Sequence, residues 1–151
     1  MSLNSSSRAA AIHFHREDVR FELSKKKLLK KWLQRIIERE KCVLEELSFV
    51  FCSDDYLHKL NLAYLNHDTL TDVITFPYEE PPLISGDVFI SVDRTKENAA
   101  LYDGDAENEL HRVMAHGLLH LCGYGDKSDD ERSKMHSKEE EALQLLHQMI
   151  D

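Results

Sequence analysis

Residues 116–126 read HGLLHLCGYGD, two histidines four apart, then a glycine, then a carboxylate. On a helix, residues i and i+4 lie one turn apart on the same face, so both imidazoles can reach one ion. Gly123 stands where that helix has to stop. Lacking a Cβ, it can take the left-handed conformation that reverses the chain and lets Asp126 swing back toward the rings. His116, His120 and Asp126 are therefore the candidate ligands of one divalent ion. Three protein ligands leave a coordination position open, which distinguishes catalytic sites from closed structural ones.

The residue between the ligands restricts the chemistry. Metallopeptidases of the HExxH type carry a glutamate general base directly after the first histidine, and here that position is Gly117. Peptidase chemistry lacks its base, but an ion can still lower the pKa of bound water to about 7, so hydrolysis stays open. A glycine inside a helix costs about 1 kcal/mol relative to alanine, so Gly117 makes room beside the ion or lets another backbone pack close. At about 100° per residue, Glu109, Arg112 and Val113 share the sector of the histidine pair, while Leu110, Met114, Leu118, Leu121 and Cys122 turn to the core. His111 falls nearly opposite the pair and is not counted as a ligand.

The elements that must position these groups alternate along the chain without repeats or an interdomain linker. Strands are expected over 12–16, 47–53, 72–76 and 87–92, with a proline-bearing loop over 77–85. Helices are expected over 24–40 with Ser24 as cap, 54–65 with Asp54 as cap, 94–102, 105–122 with Asp105 as cap, and 128–150. The last opens on a capping box, Ser128-Asp129-Asp130-Glu131. In the first, Leu28, Leu29, Trp32, Leu33, Ile36 and Ile37 recur at helical spacing and should face the core. The order βαβαββααα implies an α+β fold in one domain, a small mixed four-stranded sheet with about five helices and a zincin-like metal helix. Residues 1–11 are expected to be a disordered N-terminal segment, and 12–151 a single metal-dependent hydrolase domain.

With 151 residues, 42% of them hydrophobic, the chain can bury a real core. No apolar run approaches the ~20 residues that span a bilayer, and the N-terminus lacks a signal-peptide core, so a soluble cytoplasmic protein without membrane contact is expected. Cys42, Cys52 and Cys122 form an odd set without CxxC spacing, read as reduced core residues. The net charge of −9 is unevenly spread: residues 24–41 hold six Lys, two Arg and two Glu, a local +6 that leaves −15 elsewhere. A basic helix in an acidic protein reads as a solvated face, an anion-binding surface or both.

Together with residues 60–64 (LNLAY), Asp68, residues 71–77 (TDVITFP) and residues 86–91 (GDVFIS), the 116–126 motif resembles the YbeY family of bacterial endoribonucleases, from roughly Phe49 to Met135. The resemblance implies a metal-dependent, single-strand-specific endoribonuclease acting in ribosomal RNA maturation and ribosome quality control. It also implies zinc as the divalent ion, the small ribosomal subunit as a partner, and no nucleotide cofactor. A ribosome-assembly factor with a structural metal, or a metallopeptidase, are the alternative readings. Two positions depart from the family pattern HGxLHLxGYDH and its neighbours. Asp126, preceded by Gly125, stands where the family has its third histidine, and Leu65 stands where it has an arginine after the tyrosine. A His₂Asp set is acceptable to Zn²⁺ and also admits harder ions such as Mn²⁺. Arg112 or His67 are the candidates to replace the missing guanidinium, and Asp87 is a candidate general base. The RNA backbone would lie on Lys25, Lys26, Lys27, Lys30, Lys31 and Arg35, with binding that weakens steeply in salt. Whether water or the ribose 2′-hydroxyl attacks phosphorus stays open.

Overall fold

The structure, a computed structural model, describes residues 11–65 and 71–150. Along the chain come β1 (Ile12–Arg16), α1 (Lys26–Arg39), β2 (Val43–Cys52), α2 (Asp54–Leu65), β3 (Val73–Pro77), β4 (Leu83–Ser91), α3 (Val92–Leu101), α4 (Ala106–Leu121) and α5 (Asp129–Ile150). The strands form one mixed sheet in the order β1-β2-β4-β3. The first three in that order run parallel, and β3 pairs antiparallel to β4. The α+β fold with four strands and five helices is as expected. Of the segment expected to be disordered, residues 1–10 lie outside the described residues.

Period-two alternation divides the sheet's residues between two faces. Ile12, Leu47, Phe49, Phe51, Ile84, Val88 and Ile90 point to one side and pack with α1, α4 and α5 in the main core. Cys52, Leu57 and Ile74, with Tyr56, Leu60, Phe76 and Phe89, form a smaller cluster under α2 on the other side. Helix α1 buries Leu29, Trp32, Leu33, Ile36 and Ile37, and Trp32 Nε1 donates to the Ala142 carbonyl at 2.7 Å, locking α1 to α5. The three cysteines are free thiols, and burial first, then nearby carboxylates, pushes Cys52 up to about 12.

Two strands begin earlier than their sequence suggests. Strand β4 starts at Leu83 because Ile84, Gly86, Val88 and Ile90 alternate inward, while Pro77 ends β3 and Pro81 and Pro82 lie in the short connection between the two strands. Strand β2 starts at Val43, whose N–H donates to the Pro82 carbonyl at 2.8 Å, and a register shift between Leu44 and Glu46 breaks its alternation. Two caps also differ. Ser53, not Asp54, caps α2, its Oγ accepting from Tyr56 N at 3.1 Å. Asp54 instead accepts from Ser91 Oγ and Arg94 Nη2, both at 2.8 Å, tying α2 to the start of α3. The residue before α1 is Lys25 in the left-handed conformation, with no side-chain cap from Ser24.

Helix α4 reaches the sheet through Gly117. A Cβ there would stand 2.5 Å from Val88 Cγ1 and 3.5 Å from Thr75 Cγ2, so the glycine permits close approach of helix and sheet. Val88 is fully buried and β-branched and has little freedom to yield. Gly117→Ala gains about 1 kcal/mol of helix propensity but meets an overpacking cost of about 1–3 kcal/mol. With Val88 unable to yield, the cost falls in the upper part of that range, about 2–3 kcal/mol, and the net loss of about 1–2 kcal/mol lowers the melting temperature by roughly 2–8 °C. A thermal scan giving an unchanged or higher melting temperature contradicts this packing account.

Candidate metal centre

Helix α4 opens on Asp105, whose carboxylate accepts from Asn108 N at 3.0 Å. It ends in a Schellman turn: Gly123 N donates to the His120 carbonyl and Tyr124 N to that of Leu119, both at 3.0 Å. Gly123 has φ 110°, a region closed to residues with a Cβ. The reversal sends the Tyr124 carbonyl back over the last helical turn, where it accepts from His120 Nδ1 at 2.8 Å. A carbonyl oxygen only accepts, so Nδ1 carries the proton, and in the neutral ring Nε2 carries the lone pair. His116 is set the same way by a partner far along the chain: its Nδ1 lies 2.6 Å from Glu139 Oε2.

Both lone pairs then face one point. His116 Nε2 and His120 Nε2 are 2.9 Å apart, and Asp126 Oδ2 lies 3.2 Å from the second and 3.5 Å from the first. Among the described residues this is the one cluster of His, Cys, Asp or Glu with ligand geometry. Three electron-rich atoms so close, with both Nδ1 protonated, repel unless a cation lies among them. A tetrahedral ion with ligand distances of about 2.0–2.2 Å holds its ligand atoms roughly 3.3–3.6 Å apart, close to the separations seen. The donor set fits a metal ion. Burial alone lowers the His116 pKa, but the hydrogen bond and charge of Glu139, then Asp72 and Asp126, outweigh it and the net direction is upward. The field at the site favours positive charge.

The trio opens onto a cleft of about 680 Å³ also lined by Asn61, Leu65, Asp72, Thr75 and Lys127. Burial raises the Asp72 carboxyl, with His116 opposing. Of the candidate replacements for the missing guanidinium, Arg112 is not brought here. Arg112 lies 3.3 Å from Glu139, 2.5 Å from Glu140 and 3.4 Å from Glu109, so its guanidinium is held by three carboxylates. His67 lies outside the described residues, as does Asp68. Asp87 is absent from the cleft lining and accepts from Tyr78 Oη at 2.6 Å. His111 is buried against the edge of the Trp32 ring, apart from the ligands. None of the basic residues of α1 lines the cleft; Lys25 pairs with Glu107 at 2.9 Å, and Lys30 lies 5.9 Å from the Phe14 ring centroid.

A sequence profile of the family described as endoribonuclease YbeY matches residues 11–147. The chain belongs to the YbeY family. The endoribonuclease YbeY of Flavobacterium johnsoniae is 46% identical over 136 residues, covering 90% of this chain and 97% of that protein. The one from Amoebophilus asiaticus is 47% identical over 131 residues, covering 86% and 89%. A Thermotoga maritima protein with a known solution structure superposes with a TM-score of 0.65 at 28% identity, covering 89% of this chain and 88% of that one.

Two residues that the fold brings to the trio or its cleft are not singled out as site residues from the sequence. Asp72 resembles an ordinary strand-opening residue until the fold places it in the cleft. Glu139 has a visible signal: it is the charged position in the buried stripe Met135, Glu139, Ala142, Leu146 of α5. Partners that orient metal-ligating histidines typically account for 10–100-fold in affinity, so Glu139→Ala should weaken metal binding by about that factor. Competition with a chromophoric chelator measures it, with circular dichroism to show an intact fold. Wild-type affinity in the folded variant removes Glu139 from the site.

Proposed function

We propose that this chain is a zinc-dependent endoribonuclease that cuts single-stranded ribosomal RNA during maturation, working in the cytoplasm on the small ribosomal subunit. One domain spanning residues 12–151 carries the activity, with His116, His120 and Asp126 as ligands. The observation that carries the reading is the convergence of two Nε2 lone pairs and one carboxylate oxygen on an open cleft, in a chain of this family. Among the described residues, no helix is long and apolar enough to cross a membrane.

A divalent ion in this donor set supplies Lewis-acid charge for a phosphodiester and leaves a coordination position open. The chain's residues supply the rest. Glu139 and the Tyr124 carbonyl hold the Nδ1 protons, so neither ring can turn away. Asp72, the other carboxylate of the described lining, is raised by burial, a direction that suits a group taking the proton from an attacking hydroxyl. Tyr64, on the turn of α2 that carries Asn61 and Leu65, is 71% exposed and stands edge-on to Phe76 with centroids 6.0 Å apart. An exposed ring beside the cleft can stack an unpaired base, which supports a single-stranded substrate. The outer, basic face of α1 gives the RNA backbone a second contact away from the chemistry.

The reading separates chemistry from binding. His120→Ala should abolish cleavage of a defined RNA under single-turnover conditions while leaving its affinity within a few-fold of wild type. Reversing Lys26, Lys30 and Lys31 to Glu should weaken binding and flatten its salt dependence with metal content unchanged. A metal-free His120→Ala protein that cleaves at the wild-type rate assigns the activity to a contaminant. Metal-loaded wild-type protein that binds RNA without cutting it favours an assembly factor.

A further inference from the structure

Among the described residues, the cleft's lining is poorly supplied with positive charge for an anionic substrate. Its described lining carries Asp72 and Asp126 as carboxylates and Lys127 as the one cation. Helix α2 contributes Leu65 at this surface, and Arg112 is held among Glu109, Glu139 and Glu140. Lys127 is differently placed. Its backbone is fixed at both polar atoms, the N–H donating to Glu131 Oε1 at 3.2 Å and the carbonyl accepting from Arg132 Nη1 at 2.6 Å. Glu131 is itself held in the capping box of α5, accepting from Ser128 N at 3.0 Å while Ser128 Oγ accepts from Glu131 N at 3.1 Å. No carboxylate pairs with the Lys127 ammonium among the described residues. An exposed lysine whose ammonium has no partner among the described residues thus stands on a fixed backbone, one residue beyond a candidate ligand, in the lining of a cleft with two carboxylates.

We propose that Lys127 binds the substrate's phosphate, its ammonium contacting a non-bridging oxygen of the RNA phosphodiester seated in the cleft. A lysine acts there as a compact point charge, without the bidentate geometry of a guanidinium. It offsets the repulsion that Asp72 and Asp126 exert on an incoming phosphodiester. The proposal rests on the RNA-substrate reading above.

The test uses the zinc-loaded chain and a fluorescent single-stranded oligonucleotide of 2′-O-methyl RNA, with affinity measured by anisotropy across a salt series. Lys127→Met should bind about tenfold more weakly at low salt, and its slope of log K against log salt should be shallower by about 0.7, the value for one phosphate contact on a single strand. Lys127→Arg should keep both affinity and slope, and both variants should keep wild-type metal content and melting temperature. Wild-type affinity and slope in Lys127→Met overturn the proposal. So does equal loss in Lys127→Arg, which would mean that charge is not what the position supplies, and so does an absence of RNA binding by the wild type. Cleavage of unmodified RNA, measured in parallel, separates the two readings. Lys127-dependent binding by a wild type that does not cut defeats the nuclease reading alone, and unimpaired binding and cutting by Lys127→Met defeats the lysine proposal alone.

Discussion

The site depends on where two protons sit. With the Nδ1 protons of His116 and His120 held by Glu139 and the Tyr124 carbonyl, both Nε2 lone pairs must face Asp126. Each bond comes from a different level of structure. The Tyr124 carbonyl is aimed by the Schellman turn, which requires the positive φ of Gly123. Glu139 is aimed by the packing of α5 on α4 and α1, fixed in part by the Trp32 hydrogen bond to Ala142. Loss of either partner frees a ring to present a protonated nitrogen to the point where the three ligand-type atoms converge.

A buried Glu139 is tolerable because it is fully engaged. His116 takes one oxygen and Arg112 the other, and Arg112 also binds Glu109 and Glu140. An arginine on the ligand face therefore serves the site indirectly, by holding the carboxylate that holds a histidine. The same geometry removes it from substrate contact. The close approach of α4 to β4 and β3 at Gly117 sets the depth at which the trio meets the cleft, since Thr75 and the ligands share that wall.

Legibility in the sequence followed the range of the interactions. His116, His120 and Asp126 could be read together because a helical turn and a glycine stop relate them within eleven residues, and the structure brings all three to one point. The caps at Asp105 and Ser128 were readable for the same reason. Asp54 was misread because a serine before it competed for the cap while the Arg94 side chain, far along the chain, claimed the carboxylate. The early starts of β2 and β4 were hidden by prolines, a bulge and two adjacent glutamates, all of which suggest loop until the parallel pairing forms. Asp72 and Glu139 reach the site through tertiary packing, and the local pattern marks Glu139 only as a charge within a buried stripe, without saying what it meets.

The account is tested most directly by a crystal structure of the zinc-loaded protein, with the ion located by its anomalous signal. It predicts one ion bound by His116 Nε2, His120 Nε2 and an Asp126 oxygen at about 2.0–2.2 Å, with both Nδ1 atoms still bonded to Glu139 and the Tyr124 carbonyl. An ion bound through either Nδ1, or a site completed by another side chain while Asp126 faces solvent, contradicts it.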